Sequence, residues 1–171
     1  MKILIVSDSH GQTDILHKLK ARYASEMAAM IHCGDSELNN GDEAIEGFTY
    51  VRGNCDYDSA FPNERTEEIG GYRFFITHGH LYNIKMNLQS ITYKAEEAEA
   101  QFVCFGHSHH AGSMQGDDGL IYINPGSISL PRGRKEKSFA ILEIEDSKAN
   151  VQFLDDEGKT IQSLSASYKI K

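Results

Sequence analysis

A chain of 171 residues is long enough to bury a real hydrophobic core, and residues 1–171 read as a single domain. Its 25 acidic residues outnumber 17 basic ones, a formal charge of -8, which argues against an extended nucleic-acid surface because backbone affinity comes from clustered Lys and Arg. Cys33, Cys55 and Cys104 are odd in number, widely spaced and without a CxxC pair, which excludes a disulfide framework and a thiolate zinc site.

No stretch approaches the roughly 20 apolar residues that span a bilayer, and after Met1 and Lys2 only Ile3 to Val6 are apolar, so no membrane partner and a cytoplasmic location are expected. Lys2 to Val6 is a continuous β-prone run, the pattern of a strand covered on both faces, and it ends in the polar loop Ser7 to Gly11. A helix is predicted from about Asp14 to Tyr23, with Ile15, Leu16, Leu19 and Tyr23 on one face and Thr13 or Asp14 as cap. Met27 to His32 reads as a second buried strand ending at Gly34-Asp35, and Phe48 to Val51 as a third ending at Gly53-Asn54-Cys55-Asp56. Thr66 to Ile69 and Tyr72 to Ile76 form a hairpin across Gly70-Gly71, and its second strand runs into His78-Gly79-His80. Asn87 to Ala100, rich in Ala and Glu, is expected to be helical. Phe102 to Phe105 feeds Gly106-His107-Ser108-His109-His110. The remainder is β: Gly112 to Gln115, a Gly-Asp-Asp-Gly turn, Leu120 to Ile123, Ser138 to Ile144 and Asn150 to Leu154. Alternation of β and α followed by hairpins predicts an α/β fold of two packed mixed sheets flanked by helices.

Five successive strands thus end in glycine-containing loops that carry Asp, Asn or His: Asp8-Ser9-His10, Gly34-Asp35, Gly53-Asn54, His78-Gly79-His80 and Gly106-His107-Ser108-His109. Ligands bind beyond the carboxyl ends of strands in open sheets, so these loops are expected to converge on one crevice. Mixed carboxylate, imidazole and amide-oxygen donors suit divalent Mn, Fe, Zn or Mg better than soft ions. Seven such groups are too many for one tetrahedral zinc. They fit two ions that share a carboxylate, which polarise a phosphoryl oxygen and generate hydroxide at neutral pH.

In this order the motifs resemble those of the calcineurin-like metallophosphoesterases, specifically their small bacterial and archaeal phosphodiesterase branch. The family pattern D-x-H, G-D, G-N-x-D/E, H and G-H-x-H is met by Asp8-Ser9-His10, Gly34-Asp35, Gly53-Asn54-Cys55-Asp56, His78 and Gly106-His107-Ser108-His109. The resemblance covers residues 1 to about 145 and includes Asn124-Pro125-Gly126-Ser127, which looks like the branch's closing loop. It implies the family's α/β/β/α sandwich and a metal-dependent phosphoesterase, in this branch a hydrolase of small phosphodiesters. It implies that Asp8, His10 and His109 hold one ion, that Asn54, His78 and His107 hold the other, and that Asp35 bridges. Mn is the expected metal, with Fe, Zn, Ni and Mg as alternatives. Asp35 and Asn54 are the expected catalytic residues, Asn54 also orienting the substrate phosphate through its amide nitrogen. His80 is expected to contact that phosphate. Many family members carry His directly after the motif Asn, where it protonates the leaving group or positions the phosphate. Here Cys55 takes that place beside the substrate, while Asp56 stands where it would orient such a ring.

Taken singly, Asp or His at a loop end is a turn-former or cap. Seven in the family's order are not explained that way. His17, among lysines, is expected at the surface, and His32 to pack or to support ligands rather than bind metal. His110 is balanced between a phosphate contact and none. Cys33 and Cys104 read as small core residues. Arg132, Arg134, Lys135 and Lys137 form the one basic cluster, read as a solvated turn ahead of a phosphate or partner contact. Two rival functions are a phosphomonoesterase and a non-catalytic protein-interaction scaffold of the same fold, as in the eukaryotic retromer subunit, whose metal site is degraded. No expected ligand is missing here, which favours the enzyme. A homo-oligomer is compatible with the sequence.

Overall fold

In the computed structural model, which describes residues 1–171, the apolar run at the N-terminus becomes strand β1 (Lys2–Val6), and its side chains divide by parity between two cores. Ile3 and Ile5 enter a central layer, while Leu4 and Val6 enter a layer under helix α1 (Thr13–Tyr23), where they meet Leu16 and Leu19. Burial on both faces is why the run is continuous rather than alternating.

The remaining elements in chain order are β2 (Ala29–His32), β3 (Thr49–Tyr50), β4 (Glu64–Ile69), β5 (Tyr72–Thr77), helix α2 (Gln89–Glu97), β6 (Phe102–Cys104), β7 (Gly112–Gln115), β8 (Ile121–Asn124), β9 (Ser138–Glu145), β10 (Lys148–Asp155) and β11 (Ala166–Lys169). One sheet runs β11-β10-β9-β1-β2-β3 and the other β4-β5-β6-β8-β7. Both are mixed: β1, β2 and β3 are mutually parallel, as are β5, β6 and β8, and the outer pairings are antiparallel. The sheets face each other across Ile31, Phe74, Ile76, Phe102, Ile121 and Leu142, with Phe74 and Phe102 stacked at 4.7 Å. Helix α2 covers the outer face of the second sheet through Ile91 and Ala95, which pack on Phe75, Val103 and Tyr122. The result is the expected α/β/β/α sandwich. Cys33 and Cys104 are fully buried in the central layer, and His17 is exposed.

Three local differences have physical causes. The second helix is shorter than Asn87 to Ala100 because Glu99 takes a left-handed φ of 52° and closes it. The amides of Glu99 and Ala100 then bond the carbonyls of Glu96 and Ala95, each at 2.9 Å, the paired bonds of a Schellman ending without its usual glycine. The third strand is only Thr49–Tyr50, since its ladder with β2 is confined to Ile31 and His32. Strand β11 lies outside the sequence expectation, because Ala166, Ser167, Tyr168 and Lys169 carry little apolar pattern and are held by pairing with β10.

Candidate metal centre

The loops that hold the seven candidate ligands leave the carboxyl ends of β1, β2, β3, β5 and β6, the parallel strands of the two sheets. Parallel strands put all of those ends along one rim of the sandwich. There the backbone is under strain: Asp8 (φ 54°), His10 (φ 44°), Asp35 (φ 55°), His107 (φ 66°) and His109 (φ 60°) all lie in the left-handed region. Such a conformation costs a non-glycine residue of order 1–3 kcal/mol and persists only where the surroundings impose it. Here the loops brace one another. Asp8 N donates to Gly34 O and His10 N to Asp35 O, both at 3.0 Å, while Gly106 N donates to His78 O at 3.1 Å. The closing loop after β8 clamps two of them: Asn124 Nδ2 donates to Gly106 O at 3.0 Å, and Ser127 Oγ to Asp8 O at 2.8 Å. Two motif glycines are required by close approach. A Cβ on Gly53 would overlap Asp35, and one on Gly106 would overlap Ser7 and stand 2.6 Å from Asp8 Oδ2.

At the middle stands Asp8, fully buried. Its Oδ2 accepts Ser7 Oγ at 2.6 Å and His107 N at 3.2 Å, but its Oδ1 is buried with no donor aligned on it. Around that atom are three imidazole nitrogens: Nε2 of His109 at 3.1 Å, of His78 at 3.8 Å and of His10 at 3.9 Å. The far side of each ring already faces an acceptor. His78 Nδ1 lies 2.8 Å from Cys33 O, His109 Nδ1 2.6 Å from Leu130 O, and His10 Nδ1 3.5 Å from Glu37 Oε1. A carbonyl only accepts, so Nδ1 of His78 and of His109 carries a proton, and the inward Nε2 of each is the nitrogen that a cation would take in place of a second proton. Nε2 of His10 and of His109 are 3.3 Å apart. Asp35 Oδ2 is 3.2 Å from His78 Nε2, and Asn54 Oδ1 is 3.1 Å from the same nitrogen. Carboxylate, imidazole and amide lone pairs therefore converge on common ground, with outer acceptors fixing the ring orientations as they do for metal-bound histidines. The donor set and the orphaned Asp8 oxygen fit divalent cations of borderline to hard character.

Ionisation follows the same geometry. Burial opposes a charged His78, but Asp35 and Asp8 outweigh it and hold the ring above the ordinary imidazole range. Asp8 likewise holds His109 up against burial. Asp35 is held well below the usual carboxylate range, burial being overcome by His78 and by the Cys55 amide. The field that draws protons onto these imidazoles is the field a cation would enter, so metal and protons compete for the site.

The other candidates sit around this centre. Asp35 is 2% exposed, and its Oδ1 accepts the Cys55 amide at 2.7 Å. Asn54 is exposed at the mouth, with its Nδ2 3.4 Å from Cys55 Sγ. His107 is half-buried, its ring 5.1 Å from that of His78, and burial lowers it to about 4. His80 is 6.1 Å from the His107 ring and 5.4 Å from that of His78, kept neutral chiefly by burial. The Cys55 thiol falls within the same cluster as His10 and Asp35. His110 turns to its own loop, with Nδ1 2.9 Å from Ser108 O. Arg132, Lys135 and Lys137 are exposed on the loop between β8 and β9, and Arg134 pairs with Glu136 at 3.5 Å. Fully buried His32 ties two ligand loops through Ser9 and Gly34.

One residue has a different task from the one its position suggests. Asp56, 4% exposed, has no oxygen left to orient a ring at position 55. Its Oδ2 accepts the amides of Asp35 and Gly53 at 2.8 and 2.7 Å, and its Oδ1 accepts Glu37 N at 2.7 Å and Ser36 Oγ at 3.3 Å. Asp35 and Glu37 both stand at positive φ, so this carboxylate is what pins the strained Gly34–Glu37 turn. Asp56→Asn turns an N–H donor toward backbone donors. It is expected to cost about 3 kcal/mol, the upper range for hydrogen bonds to a charged group, measured by denaturant unfolding of metal-free protein.

Two mixed sheets between helices, with Asp, His and Asn side chains converging at the carboxyl ends of the parallel strands, define a metallophosphoesterase. The chain belongs to the calcineurin-like phosphoesterase superfamily, whose domain matches residues 1–147. It is 46% identical over 164 residues to the probable metallophosphoesterase YsnB of Bacillus subtilis, covering 96% of both chains. It is 25% identical over 169 residues to the phosphodiesterase YfcE of Escherichia coli, covering 84% of this chain and 88% of that one. A Streptococcus pneumoniae protein described as a predicted phosphoesterase superposes with a TM-score of 0.94 at 36% identity, over 98% of this chain and 97% of that one.

Proposed function

We propose that this chain is a metal-dependent phosphodiesterase that holds two divalent ions, Mn first among them, and hydrolyses small phosphodiesters in the cytoplasm as a single domain over residues 1–171. The observation that carries the proposal is the buried, unpartnered Asp8 Oδ1 with three inward Nε2 atoms around it. Asp8, His10 and His109 would hold one ion, and Asn54, His78 and His107 the other, with Asp35 between them. When bound, the pair supplies Lewis-acid polarisation of the phosphoryl oxygen and an activated water for in-line attack. The protein's part is to fix geometry in advance. Cys33 O and Leu130 O hold the His78 and His109 rings in orientation, and Asp56 and the Cys55 amide hold Asp35. At the mouth, Asn54 keeps its oxygen toward His78 and has amide hydrogens for a phosphoryl oxygen. Half-buried His80, neutral, adds a donor without adding charge. The E. coli relative named as a phosphodiesterase supports diesters as the substrate class.

Chelator-stripped protein is expected to be inert toward bis(p-nitrophenyl) phosphate. Manganese should restore turnover, with two ions per chain by elemental analysis. A single tightly held ion at most would overturn the two-ion reading. Faster hydrolysis of the monoester would replace the diesterase reading. Full metal loading without turnover on any ester would make a scaffold the better account.

A further inference from the structure

His32 ends β2 with its side chain fully buried and its ring edge-on to Phe48 at 6.2 Å. The Gly34 amide donates to His32 Nδ1 at 3.2 Å, which makes Nδ1 the lone-pair nitrogen of the ring. Nε2 is then the N–H of a neutral imidazole, and at 2.9 Å it donates to Ser9 Oγ. Ser9 stands between Asp8 and His10, and Gly34 immediately precedes Asp35. One side chain therefore bonds both the first and the second ligand loop. Asp8, His10 and Asp35 all stand at positive φ, so no local preference of their own keeps these loops in place. Neither contact reaches the space where the Nε2 atoms of His10, His78 and His109 converge, so His32 acts through its neighbours.

We propose that His32 is a positioning residue that sets the Asp8–His10 loop against Asp35, so that the two proposed ions can share one carboxylate; this rests on the two-ion reading above. The neutral ring suits the task because it offers one donor and one acceptor in opposite directions at a fixed separation. A carboxylate or an ammonium group at this place lacks that pair, and a hydroxyl carries both on a single atom.

The two arms can be cut separately. His32→Asn puts an amide oxygen near the Nδ1 position, keeping an acceptor for Gly34 while losing the reach to Ser9. Ser9→Ala removes the same bond from the other side. Calorimetric titration of chelator-stripped protein with manganese is expected to show each variant weakened about tenfold, the lower range for loss of a group that orients metal ligands. The double variant should lose no more than either single one, because both delete one bond. His32→Gln, whose longer amide carries an N–H toward Ser9, should recover most of what Asn loses. Wild-type affinity in all variants, or losses that simply add, would reduce His32 to a core filler and overturn the proposal. If the wild type itself takes up fewer than two ions, the two-ion reading fails instead. The imidazole nitrogen shifts of His32 in stripped protein then still decide its role: the Nε2–H tautomer upholds the bridge between loops, and a protonated or Nδ1–H ring overturns it.

Discussion

Asp35→Asn should strip the protein of both ions and lower diester turnover by about 10³-fold or more, since metal polarisation supplies several kcal/mol and each 1.36 kcal/mol is tenfold. The expectation comes from where the two oxygens point. Oδ1 is tied to the Cys55 amide at 2.7 Å, and Oδ2 lies 3.2 Å from His78 Nε2. Asp35 also belongs to two of the compact ligand groups, one with His10 and Cys55 and one with Asp8 and His78. The substitution is mild for the fold. An asparagine keeps an oxygen for the Cys55 amide and replaces the carboxylate that draws a proton onto His78 with an amide whose N–H can donate to Nε2 of the neutral ring. The melting temperature of metal-free protein should therefore fall far less than its metal content does. Loss of one ion only would move the bridging role to Asp8, whose Oδ1 stands among the imidazoles of both groups.

What the sequence discloses and what it hides divide along physical lines. Buried strands are legible because burial on both faces needs an unbroken apolar run, as in Ile3 to Val6, and parity then assigns alternate residues to the two cores. The ligand loops are legible because the chemistry demands particular side chains in order. Their backbone is not. Nothing in Asp8, His10 or Asp35 as residue types prescribes a φ between 44° and 55°; braces from Asp56, Ser127 and neighbouring loops impose it. Asp56 departs from the sequence expectation for a related reason. Adjacency in sequence suggested a partner for position 55, whereas the carboxylate turns inward to the amides of Asp35, Glu37 and Gly53. The end of α2 is hidden because a left-handed Glu99 closes it where a glycine would give the signal, and the edge strand β11 because pairing with β10 holds a segment without apolar alternation.

Diesters with poor leaving groups should be hydrolysed slowly, with a steep dependence of rate on leaving-group pKa, and Cys55 is the reason. Its thiol is half-buried, and burial together with Asp35 pushes it up to about 11. It stays protonated at neutral pH, yet holds its proton too firmly to match the pKa near operating pH that proton transfer favours. A well-placed general acid contributes about 10²–10⁴-fold, so nitrophenyl esters should outrun alkyl or nucleoside esters by a comparable margin beyond what their intrinsic reactivity dictates. Cys55→Ala is expected to change nitrophenyl diester turnover little. From sequence alone, Cys55→His would be expected to flatten the dependence, with Asp56 orienting the new ring. The structure reverses that expectation, because both Asp56 oxygens are consumed by the Gly34–Glu37 turn and Gly53. An imidazole at 55 would lack the Asp56 carboxylate to fix its tautomer, and recovery on poor leaving groups should stay below the about 10²-fold minimum of a positioned acid. The measurement is a series of diesters of graded leaving-group pKa, run on wild type and both variants at equal metal occupancy. A shallow slope in the wild type, or a large loss on Cys55→Ala, would mean that the thiol or a neighbour such as His80 already delivers the proton.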